Sequence, residues 1–330
     1  MGLSPSGSTA ASPEFLAVFR AEAGPRGVLG FASFMRLALY HPEVGYYRRA
    51  QPRIGYRPGT DFYTASTSGP VFGELVAEAC ATLLRRAGRD PARHAFIEIG
   101  AESADGVLAG VTHPFASVAA RRLGEPFELR GECVVFSNEL FDAQPFVRTV
   151  FRDGAWRELA VAERDGALAE IVLPDPLPLE PAVAPEGYCF DRPAEAAELA
   201  AQLAAQPWQG VFVGFDYGKT YRELCEATPA GTARAYHRHT QSNDLLARPG
   251  EQDLTCHVCW DWIEAALQRH GFGQLALESQ EAFLIRQAGE RIAAISAADA
   301  ARFSPRKLTL MQLLHPGKMG QKFQVLHGLR

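Results

Sequence analysis

Two carboxylates three residues apart, Glu139 and Asp142, follow a short apolar run and are suited to holding a cationic group. The run, Cys133 to Phe136, has the length and β-branching of a buried strand, and it stops at Ser137 and Asn138. In α/β sheets, ligands bind in the crevice beyond the carboxyl ends of the strands. A carboxylate pair at such a place can orient a guanidinium through bidentate hydrogen bonds. The same pattern also fits a strand followed by a plain helix cap.

Two further apolar runs end in polar residues in the same way. The run 94–100 carries a single carboxylate, Glu98, and ends at Gly100. The run 210–218 ends in Asp216 and Tyr217. Three such runs predict a parallel sheet with one polar rim, where chemistry-bearing side chains converge.

Helices must position this sheet, and apolar residues at helical spacing predict several of them. The last predicted helix passes through Trp260 and Ile263, and we expect Asp253 or Thr255 to be its N-cap. A closing strand is expected over 322–326. Four other helices are predicted. The first begins at Pro13, with Ser12 as its N-cap, and the others span Phe31 to Tyr40, about Gly69 to Arg86, and Ala194 to Gln206.

Composition limits the class of protein. At 330 residues with 47% hydrophobic and 22% charged residues, the chain resembles an ordinary globular protein. The net charge of −5 argues against general nucleic-acid binding, and no apolar run reaches the roughly 20 residues of a membrane span. The six cysteines are scattered, which favours a reducing, cytoplasmic location. Residues 1–13 are small and polar, so we expect a disordered N-terminus there.

The turn after Gly100 is unusual for a cofactor-binding sheet. Closely spaced glycines normally let the backbone approach a phosphate, but this turn reads Gly100-Ala-Glu102-Ser-Ala-Asp105-Gly106. Glu102 and Asp105 would repel an anion and tolerate a cation.

A cluster of histidines, cysteines and one aspartate near residues 237–259 invites a zinc hypothesis. Its spacings do not match the paired ligands of ordinary structural zinc sites, so we expect no metal. A metal hydrolase that uses three of the histidines stays an open alternative. The members of the cluster are His237, His239, Asp253, Cys256, His257 and Cys259.

Eight motifs in order resemble the MidA/NDUFAF7 family (DUF185) of class I S-adenosylmethionine-dependent methyltransferases. The likeness begins near Phe15 and covers nearly the whole chain. It implies an α/β, Rossmann-like methyltransferase sheet with an N-terminal helical extension and with helical insertions between Tyr221 and Asp261 and after Gln280. The motifs are FMRLALYHPEVGYY, GTDFYTASTSGPVFGEL, FIEIGA, SNELFDAQP, GFDYG, GTARAYHRH, PGEQDLTCHV and MGQKFQVL.

The resemblance assigns roles residue by residue. It implies that S-adenosyl-L-methionine is bound by Gly59, Asp61, Thr64, Glu98, Gly100, Asn138 and Glu139. It implies catalytic roles for Glu139, Asp142, Asp216 and His257. It implies acceptor binding by Tyr217, Tyr236, His239 and Asp253.

The resemblance also implies an organisation for the chain. After the N-terminus, residues 14–330 are expected to form a single methyltransferase-like domain. It would consist of a helical extension (14–92), a Rossmann-like core (93–220 and 262–330) and an inserted substrate-side segment (221–261). The expected acceptor is a protein side chain, arginine being favoured, and a homodimer stays open.

Two departures from the family pattern support a different function. The glycine-rich motif is reduced to Gly100, and no acid for ribose hydroxyls is evident before Asn138, although Glu125 is a candidate remnant. The alternative is a catalytically silent, methyltransferase-like module for assembly or protein binding.

Overall fold

A computed structural model describes residues 11–48, 69–298 and 304–330. The α-helices of this part are α1 (Pro13–Ala23), α2 (Phe31–Tyr40), α3 (Pro70–Arg86), α4 (Ala194–Ala204), α5 (Tyr221–Glu226), α6 (Trp260–Arg269), α7 (Gln280–Ala298) and α8 (Pro305–Leu314). The strands are β1 (Val28–Gly30), β2 (Ala95–Ala101), β3 (Ser117–Arg122), β4 (Gly131–Asn138), β5 (Val147–Arg152), β6 (Ala155–Arg164), β7 (Ala167–Leu177), β8 (Cys189–Arg192), β9 (Trp208–Asp216), β10 (Gly218–Lys219), β11 (Arg234–His237), β12 (Thr240–Ser242), β13 (Asp253–Thr255), β14 (Val258–Cys259), β15 (Gly273–Ser279) and β16 (Gln324–Leu329).

The chain forms two compact units that alternate along the sequence. The antiparallel unit comprises Met1–Phe62, Asp142–Ala196 and Lys219–Cys259. The parallel-sheet unit comprises Tyr63–Phe141, Ala197–Gly218 and Trp260–Arg330. The predicted helical extension contributes to both units, since α1 and α2 belong to the first and α3 to the second.

The parallel-sheet unit contains a six-stranded sheet in the order β15-β16-β9-β4-β2-β3. Strands β9, β4, β2 and β3 are parallel to their neighbours, and β16 is antiparallel to β9 and β15. This arrangement confirms the predicted parallel sheet, and β16 supplies the predicted closing strand. The central strand β4 is apolar because it pairs on both edges and is buried on both faces.

Helices α3, α7 and α8 pack together beside this sheet. Phe72 of α3 meets Phe136 of β4 and Phe215 of β9, with ring centroids 6.4 and 5.5 Å apart. All three rings are buried, and each contributes about 1.5–3 kcal/mol by leaving water. This core therefore fixes the strand ends that carry the predicted site.

The connection from β2 to β3 contains no helix, since residues 102–116 run through turns and extended segments. The next strand, β4, lies on the other side of β2, and β9 lies beyond it. The chain thus reverses its direction of travel across the sheet between β2 and β4, and such a switch point opens a crevice at the carboxyl strand ends.

The antiparallel unit contains a five-stranded sheet of β1, β6, β5 and β8, with β7 paired to β6. Strands β12, β11 and β13 form a separate three-stranded sheet. The apolar core of the antiparallel unit combines residues of α1 and α2 with others such as Phe146, Val161 and Leu254. The helical insertion predicted between Tyr221 and Asp261 is wrong, since this segment has the short helix α5 followed mainly by strands, whereas the one predicted after Gln280 is confirmed by α7 and α8.

The predicted N-cap of α6 is wrong. Asp253 and Thr255 lie in β13, and α6 begins only at Trp260. Tyr236 pairs with Asp253, and Arg234 pairs with Thr255, across β11 and β13. The residues that resemble a helix cap form a strand instead, because β13 pairs with β11 in the three-stranded sheet. The helices predicted at Pro13, Phe31, Gly69 and Ala194 are confirmed, and Ser12 caps the first by accepting a hydrogen bond from the Phe15 amide.

No helix in the described ranges is long and apolar enough to cross a membrane.

Candidate functional site

The carboxyl ends of β2, β4 and β9 lie side by side and form the rim of the candidate site. In the register, Glu98 lies beside Phe136, and Asn138 lies beside Phe215. The predicted residues Glu98, Gly100, Asn138, Glu139, Asp216 and Tyr217 all belong to the parallel-sheet unit. The structure therefore gathers six of the predicted site residues at three neighbouring strand ends.

Asp216 holds the turn that follows β4. Its Oδ2 atom accepts a hydrogen bond from the Phe141 amide at 2.8 Å, and its Oδ1 atom accepts one from the Tyr217 amide at 2.8 Å. The side chain is fully buried. Bonds from two amides to one buried carboxylate are strong, so Asp216 fixes the rim. The adjacent Tyr217 ring lies 4.1 Å from that of Phe323.

Glu139 has a left-handed backbone conformation with φ of 51°. This conformation costs a non-glycine residue about 1–2 kcal/mol. It is retained because the Glu139 amide donates to the Phe215 carbonyl at 2.9 Å, and because the Phe141 amide, two residues further on, donates to Asp216 Oδ2 at 2.8 Å. The carboxylate, which also accepts a bond from Asn138 Nδ2 at 3.2 Å, is thus placed on a rigid, half-buried turn. Such strain clusters at functional sites.

Gly100 fits beneath this turn because it lacks a Cβ atom. Its φ is +81°, and a Cβ there would lie 2.7 Å from Leu140 Cδ1. The glycine that survives from the motif therefore allows the ends of β2 and β4 to approach each other.

Glu98 lies below the turn that follows β2. Its Oε2 atom accepts a hydrogen bond from the Val107 amide at 2.6 Å, and a Cβ on Gly106 would lie 2.5 Å from the same atom. Burial, opposed by that bond and assisted by the negative charge of Glu102, raises the pKa of Glu98 to about 7. Glu98 therefore fastens the turn that follows β2 through the Val107 amide.

Two buried polar atoms at the end of β4 lack partners within the described residues. They are Ser137 Oγ and Asn138 Oδ1. Buried polar atoms are almost always hydrogen-bonded, so these two atoms indicate a bound ligand or ordered water. Sequence reasoning gave Ser137 no role of its own, although its position beyond a buried strand was a usable signal.

The antiparallel unit brings a second group of polar side chains together. Asp253 Oδ1 accepts a hydrogen bond from the Tyr47 hydroxyl at 2.8 Å, and the Tyr40 and Tyr47 rings stack 5.3 Å apart. The pKa values of Tyr40 and Tyr47 are raised well above the usual value for tyrosine. Burial is the largest cause, and the negative charges of Asp253 and Asp142 add to it. Asp142 and Asp253 therefore share one buried environment. Sequence reasoning missed both tyrosines, although the aromatic segment Gly45-Tyr46-Tyr47 marked the place.

Two other residues that were predicted to bind the acceptor, His239 and Tyr236, lie in and beside the hairpin of β11 and β12. His239 lies with Arg238 in a two-residue hairpin turn between β11 and β12, and both have positive φ. Tyr236 donates a hydrogen bond to Gln241 Oε1 at 3.3 Å.

Burial, assisted by the positive charges of Lys219 and Arg234, lowers the pKa of His257 to about 4. The imidazole is therefore neutral at pH 7, and its buried Nδ1 atom has no hydrogen-bond partner among the described residues. Such a nitrogen can accept or donate a hydrogen bond, depending on the tautomer.

Three predicted cofactor residues, Gly59, Asp61 and Thr64, lie outside the described residues.

The polar atoms of the rim fit S-adenosyl-L-methionine better than they fit a phosphate-bearing cofactor. The amides that would cradle a phosphate are engaged, since Gly106 donates to Ser103 Oγ and Val107 to Glu98. The unpartnered Ser137 and Asn138 oxygens can accept hydrogen bonds from an amino group or a hydroxyl. Acceptors and nearby carboxylates also suit a sulfonium cation.

Comparison with known proteins supports this interpretation. Residues 118–276 match a family model described as "Putative S-adenosyl-L-methionine-dependent methyltransferase" (Methyltransf_28). The mitochondrial protein arginine methyltransferase NDUFAF7 of Danio rerio is 23% identical over 371 residues, which cover 90% of this chain and 82% of that protein.

Two crystal structures of COG1565 superfamily proteins from Burkholderia thailandensis share the fold. One, bound to S-adenosyl-homocysteine, is 26% identical with a TM-score of 0.84, covering 97% of this chain and 94% of that chain. The other is 24% identical with a TM-score of 0.80 and the same coverage. The sheet, the rim and these similarities together show an α/β fold of the S-adenosyl-L-methionine-dependent methyltransferase type, and residues 118–276 resemble the Methyltransf_28 family.

Proposed function

We propose that this protein transfers a methyl group from S-adenosyl-L-methionine to a protein side chain, with the arginine guanidinium as the favoured acceptor. The observation that carries this proposal is the Glu139 carboxylate, which a strained turn holds at the switch-point rim. A carboxylate binds a guanidinium through two parallel hydrogen bonds, a geometry that lysine does not reproduce. The similarity to an arginine methyltransferase supports the same acceptor.

The rim residues would position the reactants. When bound, the cofactor supplies an electrophilic methyl group: the acceptor nitrogen forms the N–C bond as the C–S bond breaks, and sulfur keeps the electron pair. Ser137 and Asn138 would hold the cofactor, and Asp216 would keep their turn in place. Glu139 would orient the guanidinium, and its carboxylate is a suitable acceptor for the proton that the methylated nitrogen loses. Fixed orientation of this kind is the main contribution that a protein makes to such a displacement.

The acceptor is tested by mass spectrometry after incubation with cofactor that carries a deuterated methyl group. The substrate pool is a heat-inactivated proteome from cells that lack this protein. We expect deuterated methyl groups on arginine, and a Glu139→Gln variant should lose at least tenfold in rate. Label confined to lysine, carboxylates or small molecules would refute the arginine assignment. Glu290→Gln, which alters an exposed carboxylate on α7, is the matched control.

A second candidate function is a binding module without methyl transfer. The turn after β2 favours it, because its amides bond internally and the β2–β3 connection has no helix. Calorimetric titration with S-adenosyl-homocysteine separates the two candidates. Binding supports the enzyme, whereas absence of binding at millimolar ligand supports the module.

A further inference from the structure

A cavity of about 460 Å³ lies beside β3 in the parallel-sheet unit. Its volume is within the range of small-molecule sites, roughly 300–1,000 Å³. Most of its walls are small or apolar, and Asp105 and His113 are its polar side chains. The cavity is lined by Ala104, Asp105, Leu108, Ala109, Gly110, His113, Val118 and Ala120.

The cavity borders the position where a nucleotide-binding sheet usually carries an acid. In such sheets, a carboxylate about 20 residues beyond the glycine turn binds the ribose hydroxyls. Counting from Gly100, that interval ends at Ala120, which lies beside Glu98 in the β2–β3 register. A methyl side chain cannot accept a hydrogen bond, so the usual ribose partner is missing at this position.

The nearest acid after β3 is already engaged. Glu125 Oε2 accepts a hydrogen bond from the Arg122 amide at 3.0 Å, and Oε1 accepts one from Arg122 Nε at 2.9 Å. These bonds lower the pKa of Glu125. Glu125, the candidate remnant in the sequence, is thus committed to Arg122.

Asp105 offers a carboxylate on the wall that it shares with Ala120. Its side chain is exposed and forms no hydrogen bond or ion pair with any residue of the described ranges. It belongs to the same turn as Gly100 and Gly106, which borders the candidate cofactor site. The second polar wall group, His113, has a buried Nδ1 atom without a partner in the described part of the chain. The cavity therefore has two polar side chains, Asp105 and His113, that are available to a ligand.

We propose that Asp105 accepts hydrogen bonds from the ribose hydroxyls of the cofactor and replaces the acid that is missing at Ala120. The negative charge of Asp105, which makes this turn unsuitable for a phosphate, would then select for a cofactor whose nucleoside carries no phosphate. This role of Asp105 presupposes the proposed use of S-adenosyl-L-methionine.

The test is calorimetric titration of the full-length protein with S-adenosyl-homocysteine and with its 2′-deoxy analogue. We expect the unaltered protein to bind the ribose form about tenfold more tightly, since a charge-assisted hydrogen bond contributes at least about 1.5 kcal/mol. Asp105→Ala removes the acceptor and should weaken binding of the ribose form about tenfold and remove the preference between the two ligands. The double variant Asp105→Ala, Ala120→Asp should restore the preference.

Asp175→Ala removes an exposed carboxylate of β7, outside the cavity, and serves as the matched control. Thermal melting checks that each variant is folded. The comparison of the two ligands on the unaltered protein does not depend on any variant, so it tests the proposal even if a variant fails to fold. Equal affinities for the two ligands, or an Asp105→Ala variant that keeps the preference, would overturn the role of Asp105 alone. Failure of the unaltered protein to bind either ligand would overturn the proposed enzyme function as well.

Discussion

Replacement of Glu98 by glutamine removes a buried ionisable group and keeps an oxygen that can accept the Val107 hydrogen bond. Burial raises the pKa of Glu98 from 4.5 to about 7. Each pKa unit corresponds to about 1.4 kcal/mol, so ionisation of Glu98 costs the folded state roughly 3 kcal/mol. The group is only 5% exposed, and solvent therefore screens this penalty little.

The sign of the pH dependence follows from the raised pKa. Below about pH 4.5 both folded and unfolded states are protonated, and Glu98 carries no penalty. As the pH rises toward 7, the unfolded state loses its proton first, so the free energy of unfolding decreases; above about pH 7 the loss is complete. Glu98→Gln lacks this loss, so its stability relative to the unaltered protein should increase by roughly 2–3 kcal/mol between about pH 5 and pH 8.

Urea unfolding at a series of pH values measures this difference. Glu290→Gln, which changes an exposed carboxylate in the same unit, should show no comparable trend. A stability difference between Glu98→Gln and the unaltered protein that is constant with pH, or that changes in the opposite direction, would refute the burial of an ionisable Glu98 beneath the turn.

Three further outcomes are expected. Asp216→Ala should lower the free energy of unfolding by about 3 kcal/mol in urea titrations, because the buried Phe141 amide and the half-buried Tyr217 amide lose their acceptor. A loss below about 1 kcal/mol would contradict its clamping role. Glu139→Gly should raise stability by about 1 kcal/mol through relief of the left-handed strain while methyl transfer is lost, so retained activity would argue against its proposed role. For His257, whose pKa is lowered to about 4, stability is lost as the pH falls from about 6.5 toward 4. His257→Asn should therefore flatten the acid side of the stability profile, and an unchanged profile would contradict the burial of that imidazole.

The sheet could be predicted from the sequence because its central strands are apolar on both faces. The run that became β4 ends at Asn138, and the run that became β9 ends at Asp216. Parallel strands place such ends at one edge, so local sequence determined which residues share the rim. The helix Phe31–Tyr40 was equally clear because its apolar residues follow the helical period.

The errors arose where distant segments decide the local structure. Asp253 resembles a helix cap, yet its strand is defined by pairing with Tyr236, which no local pattern reveals. The role of Asp216 as a clamp depends on the amide of Phe141, 75 residues away. The shared environment of Tyr47 and Asp253 joins residues 206 positions apart, so spacing could not predict it.

We expect S-adenosyl-L-methionine to bind at the switch point between β2 and β4, where the end of β4 would hold it. Calorimetric titration with S-adenosyl-homocysteine tests it most directly, with the unaltered protein compared with an Asn138→Leu variant of similar side-chain size. We expect one site per chain for the unaltered protein and at least tenfold weaker binding for the variant, since Asn138 Oδ1 is buried and has no hydrogen-bond partner among the described residues. Equal binding by both proteins, or no binding by the unaltered protein at millimolar ligand, would contradict it.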